Sequence, residues 1–226
     1  MNLRYEIRRS ARRKKVTITV ERDRSVVIQA PASVPEEKIR QLVESKRQWL
    51  YEKLQDARKY QPIVPPGKEL VNGEAALYLG RHYRIELVDT GEVEVRFAGK
   101  FLIPRSRTGQ RKQVLRQWYV ERAQEKILSR VRMYAQSLGV TYQQAKISDS
   151  RLRWGSCTPG DNLHFNWRLI KAPMFAIDYV VVHELAHLIE ANHTSRFWNI
   201  VRAQLPAMER ARDWLREYGQ SLEEEV

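Results

Sequence analysis

The chain is 226 residues long, and its 40 lysines and arginines against 27 aspartates and glutamates leave a net charge of +13. That length suits one large domain or two small ones, and 42% hydrophobic with 30% charged residues is the balance of a water-soluble globular protein. A single cysteine excludes an internal disulfide, no run reaches the roughly eighteen apolar residues of a membrane span, and the charged start MNLRYEIRRSARRKK has no apolar stretch behind it, so a reducing, cytoplasmic setting is expected.

Residues 3–9 and 15–29 alternate as strands do. Val16, Ile18 and Val20 point one way, and Val26 and Ile28 follow after Arg22–Ser25, which predicts a hairpin ended by Pro31. Residues 35–60 read as one amphipathic helix. Pro35 opens it, Glu36 and Glu37 sit in its first turn, and Ile39, Leu42, Val43, Trp49, Leu50 and Leu54 form the apolar stripe. Gln61–Gly67, with three prolines and a glycine, is the natural linker. Short strands at 76–80, 82–88, 92–97 and 100–103 predict a small antiparallel sheet. A long helix over 108–138 is closed by Gly139. Strands at 143–148 and 162–170 flank Arg151–Asp161, and Pro173 starts a mostly buried helix carrying Ile177, Val180, Val181, Leu185 and Leu188. A short helix from Ser195 and a last one from Pro206 to Tyr218 complete an α+β chain. The expected division is 1–61 (hairpin and helix), 62–105 (small antiparallel β region) and 106–226, with one compact unit as the alternative.

The chemistry concentrates in the buried helix. His183-Glu184-Leu185-Ala186-His187 reads H-E-x-x-H, and His193 follows six residues later, so three of the five histidines fall between 183 and 193. A helix turns about 100° per residue, which puts His183 and His187 on one face, one turn apart. Two neutral imidazoles so placed can bind one zinc ion, with Glu184 next to them as base toward an activated water. Three protein ligands define a catalytic site and four closed ones a structural site. The third ligand is therefore decisive. Glu190 shares the face of His183, but one unbroken helix spreads such positions over roughly 10 Å. His193 reaches the ion if the chain turns back, and Asn192 is suited to a left-handed turn there. His183, His187 and His193 are thus the expected ligands of one Zn2+ per chain, with Glu184 as the catalytic base and Glu190 as a supporting or surface group. Glu190 or Glu209 stands in if His193 only makes the turn. Cys157 is either a small turn residue or an inhibitory fourth ligand.

The motifs also carry a resemblance. Arg153-Trp154-Gly155-Ser156-Cys157, Asn166-Trp167-Arg168-Leu169, Ile177 through His187, Asn192-His193-Thr194 and Phe197-Trp198 resemble the YgjP-like zinc metallopeptidases, relatives of the SprT-like and Wss1-like proteases. The motifs cover roughly 150–200. The resemblance implies a zincin-like domain with the active-site helix beside a small sheet, preceded by the N-terminal hairpin, helix and small sheet. It implies the same three histidine ligands and Glu184 base, a protein or peptide substrate, and a substrate segment laid along the strand around Asn162–Trp167. The spacing is also similar to metzincins, but Glu190 stands where their turn glycine would be, and no Met-turn follows.

For the oxyanion of the tetrahedral intermediate, Arg151, Arg153, Tyr179 and His164 are candidate donors. Asp178 points away from the metal and is expected to make a structural hydrogen bond. The competing reading is a nucleic-acid-binding protein with a structural or vestigial zinc, or a protease recruited to DNA. The net charge of +13 favours it, especially Arg8, Arg9, Arg12, Arg13, Lys14 and Lys15, then Arg105, Arg107, Arg111, Lys112 and Arg116. No membrane partner is expected, and substrate specificity, regulation and oligomeric state are not legible.

Overall fold

In the computed structural model, which describes residues 5–10, 13, 15–20, 26–55, 69–89, 94–150 and 153–223, the chain divides into two units, Met1–Ile63 and Val64–Val226. The expected linker at Gln61–Gly67, together with Arg12, Lys14 and Arg151, lies outside the described residues.

In the first unit, β2 (Thr17–Val20) and β3 (Val26–Pro31) form the expected antiparallel pair, with Ile18 opposite Ile28. The strand before them, β1 (Glu6–Ser10), lies parallel to β3 on its other side, giving the order β1-β3-β2. The central strand is therefore the apolar one, and Val26, Val27 and Ile28 are all buried. The expected single helix is two, α1 (Glu36–Ser45) and α2 (Arg47–Gln55). At Lys46 the backbone leaves helical geometry (φ −104°, ψ 10°), and its N–H is shared between the carbonyls of Leu42 and Val43. The stripe keeps Ile39, Val43 and Leu50 in the core with Val26, Ile28 and Ala30, but the break leaves Trp49 41% exposed.

The second unit starts with β4 (Ala75–Tyr78) and β5 (Arg81–Val88), joined at Leu79-Gly80, both in the left-handed region (φ 48° and 78°) as a type I′ hairpin requires. With β6 (Arg96–Phe97) and β7 (Phe101–Pro104) the order is β4-β5-β7-β6. The two-residue β6 takes the outer edge, and β7 lies between it and β5. The sheet is thus antiparallel at both ends and parallel at its centre, where sequence predicted antiparallel pairing throughout.

Helix α3 (Arg111–Leu138) packs Trp118 and Tyr119 against Tyr78 and Phe101 of this sheet, also buries Leu115, Ile127 and Val131, and ends on Gly139 at φ 65°. A second sheet follows from β8 (Gln144–Ser148), β9 (Gly155–Cys157) and β10 (Asn162–Asn166), in the order β8-β10-β9. The strand expected over 162–170 stops at Asn166, whose side chain accepts a hydrogen bond from the Arg168 N–H (2.9 Å) and opens a short 3₁₀ helix, Trp167–Lys171. Both edges of β10 are filled, by β8 in parallel and β9 antiparallel. The edge strands of this sheet are therefore β8 and β9, not the stretch around Asn162–Trp167.

The remaining helices are α4 (Met174–Ala186), α5 (Ser195–Gln204) and α6 (Met208–Tyr218). The architecture is mixed α+β, with the motif-bearing helix α4 beside the β8-β10-β9 sheet, α5 and α6. No helix among the described residues is long and apolar enough to cross a membrane.

Candidate metal centre and its base

The sequence of α4 is poor helix material, because Val180, Val181 and Val182 are branched at Cβ and lose rotamer freedom in a helix. Burial holds it instead: Ile177, Val181, Val182, Leu185 and Ala186 are completely enclosed. Two further devices fix its position. At its start, Gly80 presses on Pro173 so closely that a Cβ there would lie 2.8 Å from the proline Cβ, and the Gly80 N–H donates to the Lys171 carbonyl (2.8 Å). On its flank, Asp178 accepts both arms of Arg130 from α3, at 2.6 Å each. This is the structural bond expected of Asp178, in the bidentate geometry that fixes orientation as well as distance.

The helix ends at Ala186, just before His187, earlier than sequence suggested. The Leu188 N–H bonds to the Leu185 carbonyl and the Ile189 N–H to the Ala186 carbonyl, the tighter spacing of a closing turn. The chain then reverses without any left-handed residue, since the positive-φ residues that are not glycine are Leu70, Leu79 and Asp161. The expected left-handed turn at Asn192 is thus corrected. An early stop of α4 in ordinary backbone geometry makes the return possible with Glu190 in place of glycine. Thr194 then caps α5, its hydroxyl accepting from the Phe197 N–H (3.3 Å).

The outcome is convergence. His183, His187 and His193 each present a ligand nitrogen, and these atoms all lie within 4.8 Å of one another. The Nε2 atoms of His183 and His193 are 3.0 Å apart. Two nitrogens bound tetrahedrally to zinc at about 2.0–2.1 Å stand about 3.3 Å apart, so the pair fits one ion. His187 Nδ1 meets the Glu190 carbonyl at 3.3 Å. A carbonyl only accepts, so Nδ1 carries the proton and the Nε2 lone pair is left for a metal. Glu190 supports the site through its backbone rather than its carboxylate. Burial and the two neighbouring imidazoles hold His183 down to a pKa of about 3, and burial first also lowers that of His187. Both are kept neutral, as ligation requires.

Beneath the three rings lies Phe197, fully buried, with its centroid 4.9, 4.6 and 4.7 Å from those of His183, His187 and His193. Trp198 stacks on His193 at 5.5 Å. Sequence reasoning gave neither aromatic a role. The signs available for Phe197 were the amphipathic period of α5 and its place in the Phe197-Trp198 motif of the resemblance.

Glu184 is 7% exposed and faces β9 rather than solvent. Burial pushes its pKa up to about 7, against the pull of the Cys157 backbone N–H and the charge of Arg153. Gly155 makes this fit possible, since a Cβ there would lie 2.6 Å from Glu184 Cγ and 2.8 Å from Oε1. The glycine was visible in Arg153-Trp154-Gly155-Ser156-Cys157, but its partner was not. Cys157 lies outside the three-histidine group; its Sγ, half-buried, points to the Thr158 carbonyl at 3.7 Å. Glu209 is likewise outside, paired with Arg202 at 2.9 Å. Tyr179 has its ring 5.8 Å from that of His183, whereas His164 pairs with Ser156 inside the sheet.

No curated protein gives a significant match to the chain. Among solved structures, the metallopeptidase zymogens abylysin of Pyrococcus abyssi and jannalysin of Methanocaldococcus jannaschii are similar to parts of it. Abylysin is 19% identical, over 44% of this chain and 98% of its own, with a TM-score of 0.38. Jannalysin is 19% identical, over 43% and 97%, also with a TM-score of 0.38. The family described as YgjP-like, metallopeptidase domain, matches residues 14–218. With a match over that span of its 226 residues, the chain belongs to the YgjP-like metallopeptidase family.

Proposed function

We propose that this metallopeptidase is a zinc enzyme in which His183, His187 and His193 hold one ion per chain and Glu184 is the general base and acid of peptide hydrolysis. The observation that carries the reading is the convergence of three imidazole nitrogens within 4.8 Å, one residue along the helix from a buried carboxylate. When bound, zinc supplies a Lewis acid that activates water and polarises the peptide carbonyl. Glu184, held near neutral pKa, accepts the proton of the attacking water on its carboxylate and returns it to the departing amine. Gly155 and the Cys157 N–H orient that carboxylate, and Phe197 keeps the underside of the histidines dry. Tyr179 stands beside His183 as the donor for the oxyanion. The test is Glu184→Gln: zinc stays at one equivalent while cleavage of unfolded protein is lost. Cleavage at the wild-type rate in that variant refutes the role of Glu184. The single cysteine supports a reducing, cytoplasmic setting.

The net charge of +13 supports a second reading, recruitment of the protease to nucleic acid. Against it, several of the basic residues named above are engaged within the protein. Arg8 pairs with Glu6, Arg9 donates to the carbonyls of Ala32 and Val34, Arg105 pairs with Asp89, and Arg116 with Asp149. Electrophoretic shifts across a salt series decide the matter. Recruitment predicts binding that weakens steeply with salt, and no shift at low salt removes it.

A further inference from the structure

Beside the histidine cluster, an open surface cavity of about 350 Å³ lies between α5 and α6, lined by Trp198, Met208 and the exposed Ser195, Asn199, Arg202 and Arg212. Its size is at the lower end of ordinary ligand pockets, roughly 300–1,000 Å³, and suits one side chain better than a large ligand. Met208 is buried at its base. Trp198 forms the wall shared with the metal centre, its ring 5.5 Å from His193 and 5.8 Å from His183.

The polar lining has one sign. Ser195, Asn199 and two guanidiniums offer donors. The carboxylate nearest them is Glu209, already bound to Arg202 at 2.9 Å. The exposed Arg212 guanidinium makes no hydrogen bond or ion pair with any described residue, although its charge reaches both Glu209 and Tyr179. Two positive charges against one negative leave an excess of one, beside an aromatic wall. A cation is repelled there, an apolar group leaves the guanidinium fork unused, and a planar carboxylate satisfies it through two parallel hydrogen bonds.

We propose that this cavity is a substrate subsite for a carboxylate, with Arg212 as the group that binds it. The inference rests on the peptidase reading and names its substrate class: peptides with a carboxylate close to the bond that is cut. The Trp198 wall is less than 6 Å from two of the ligand rings, which places the subsite next to the bond that is cut. Either an aspartate or glutamate side chain or the C-terminal carboxylate of a short peptide supplies the same chemistry.

The experiment measures binding to zinc-loaded Glu184→Gln protein, so that hydrolysis is not needed for the readout. The probes are fluorescein-labelled alanine-based nonapeptides with one central Glu, Gln or Lys, each as a C-terminal acid or amide, followed by fluorescence anisotropy. The carboxylate forms should bind about tenfold more tightly than their neutral counterparts. Adding Arg212→Gln should equalise them, and Arg212→Glu should turn the preference toward Lys, with thermal melts checking that both variants fold. A preference carried by the central Glu assigns a side-chain subsite, and one carried by the free C-terminus assigns a terminal-carboxylate subsite. Equal affinities throughout, or a preference that survives Arg212→Gln, overturn the proposal. Arg212-dependent binding by a protein whose wild-type form cleaves nothing keeps the subsite and removes the peptidase reading; cleavage with no carboxylate preference does the reverse.

Discussion

Gly155→Ala is the smallest change that bears on how the base is held. The residue sits in β9 outside the left-handed region, so alanine can take its backbone conformation without strain. The new methyl group, however, would stand 2.6 Å from Glu184 Cγ, 2.8 Å from Oε1 and 3.0 Å from Cδ. Carbon atoms pack comfortably at about 3.5–4.0 Å, so strand and carboxylate must part by about 1 Å. Glu184 is anchored by an enclosed helix, which leaves its side chain as the softer partner. With Glu184 in its proposed role as base, a displacement of that size lowers turnover by about 100-fold. Overpacking costs about 1–3 kcal/mol, part of it offset by the lost chain entropy of glycine, so the fold survives. Measuring kcat/KM on an unfolded-protein substrate, with metal content and thermal melting alongside, separates these effects. The expected result is a 100-fold loss with zinc retained and a modestly lowered Tm. Wild-type kcat/KM and wild-type Tm together would refute the packing of Glu184 against β9.

Other perturbations probe the same centre. In metal-free protein, Glu184 titrates near 7 when folded and near 4.5 when unfolded, so its contribution is full below pH 4.5 and lost as pH rises toward 7. Glu184→Gln should therefore gain about 3 kcal/mol relative to wild type between pH 4.5 and 8, read by urea unfolding, and an unchanged difference between the two pH values would count against the buried carboxyl. Phe197→Ala removes the floor under all three histidines and should lower stability by about 3–5 kcal/mol and weaken zinc affinity, whereas Phe197→Leu should lose much less of both; equal zinc affinity in the alanine variant would contradict this role. Arg130→Met removes both hydrogen bonds that the Asp178 carboxylate accepts and should cost about 3 kcal/mol in chemical denaturation, with zinc content intact; a loss of zinc without a loss of stability would show that Asp178 serves the metal instead.

Much of the site was legible because it is local. His183 and His187 are one helical turn apart whatever the rest of the chain does, and the return of His193 needed only a reversal within six residues. The means of that reversal was not legible: a left-handed Asn192 goes with a helix that runs on past His187, whereas α4 ends at Ala186 and the chain turns in ordinary backbone geometry. The surroundings of Glu184 were hidden for another reason. Gly155 and Cys157 lie far from it in sequence, and β9 is only three residues long, too short for alternation to show. The parallel pairing of β5 with β7 and the central place of β10 are likewise decisions about neighbours, on which strand periodicity is silent. In the first unit, the break at Lys46 interrupts a stripe whose apolar period continues without a glycine or proline to mark it.

The central claim is that three histidines from α4 and the segment beyond it hold one zinc ion. Elemental analysis of purified wild-type protein and of His183→Ala, His187→Ala and His193→Ala tests it most directly. One zinc per chain in the wild type, and less than about a tenth of that in each variant after dialysis against a weak chelator, is the predicted result. Full zinc occupancy in His193→Ala would contradict it.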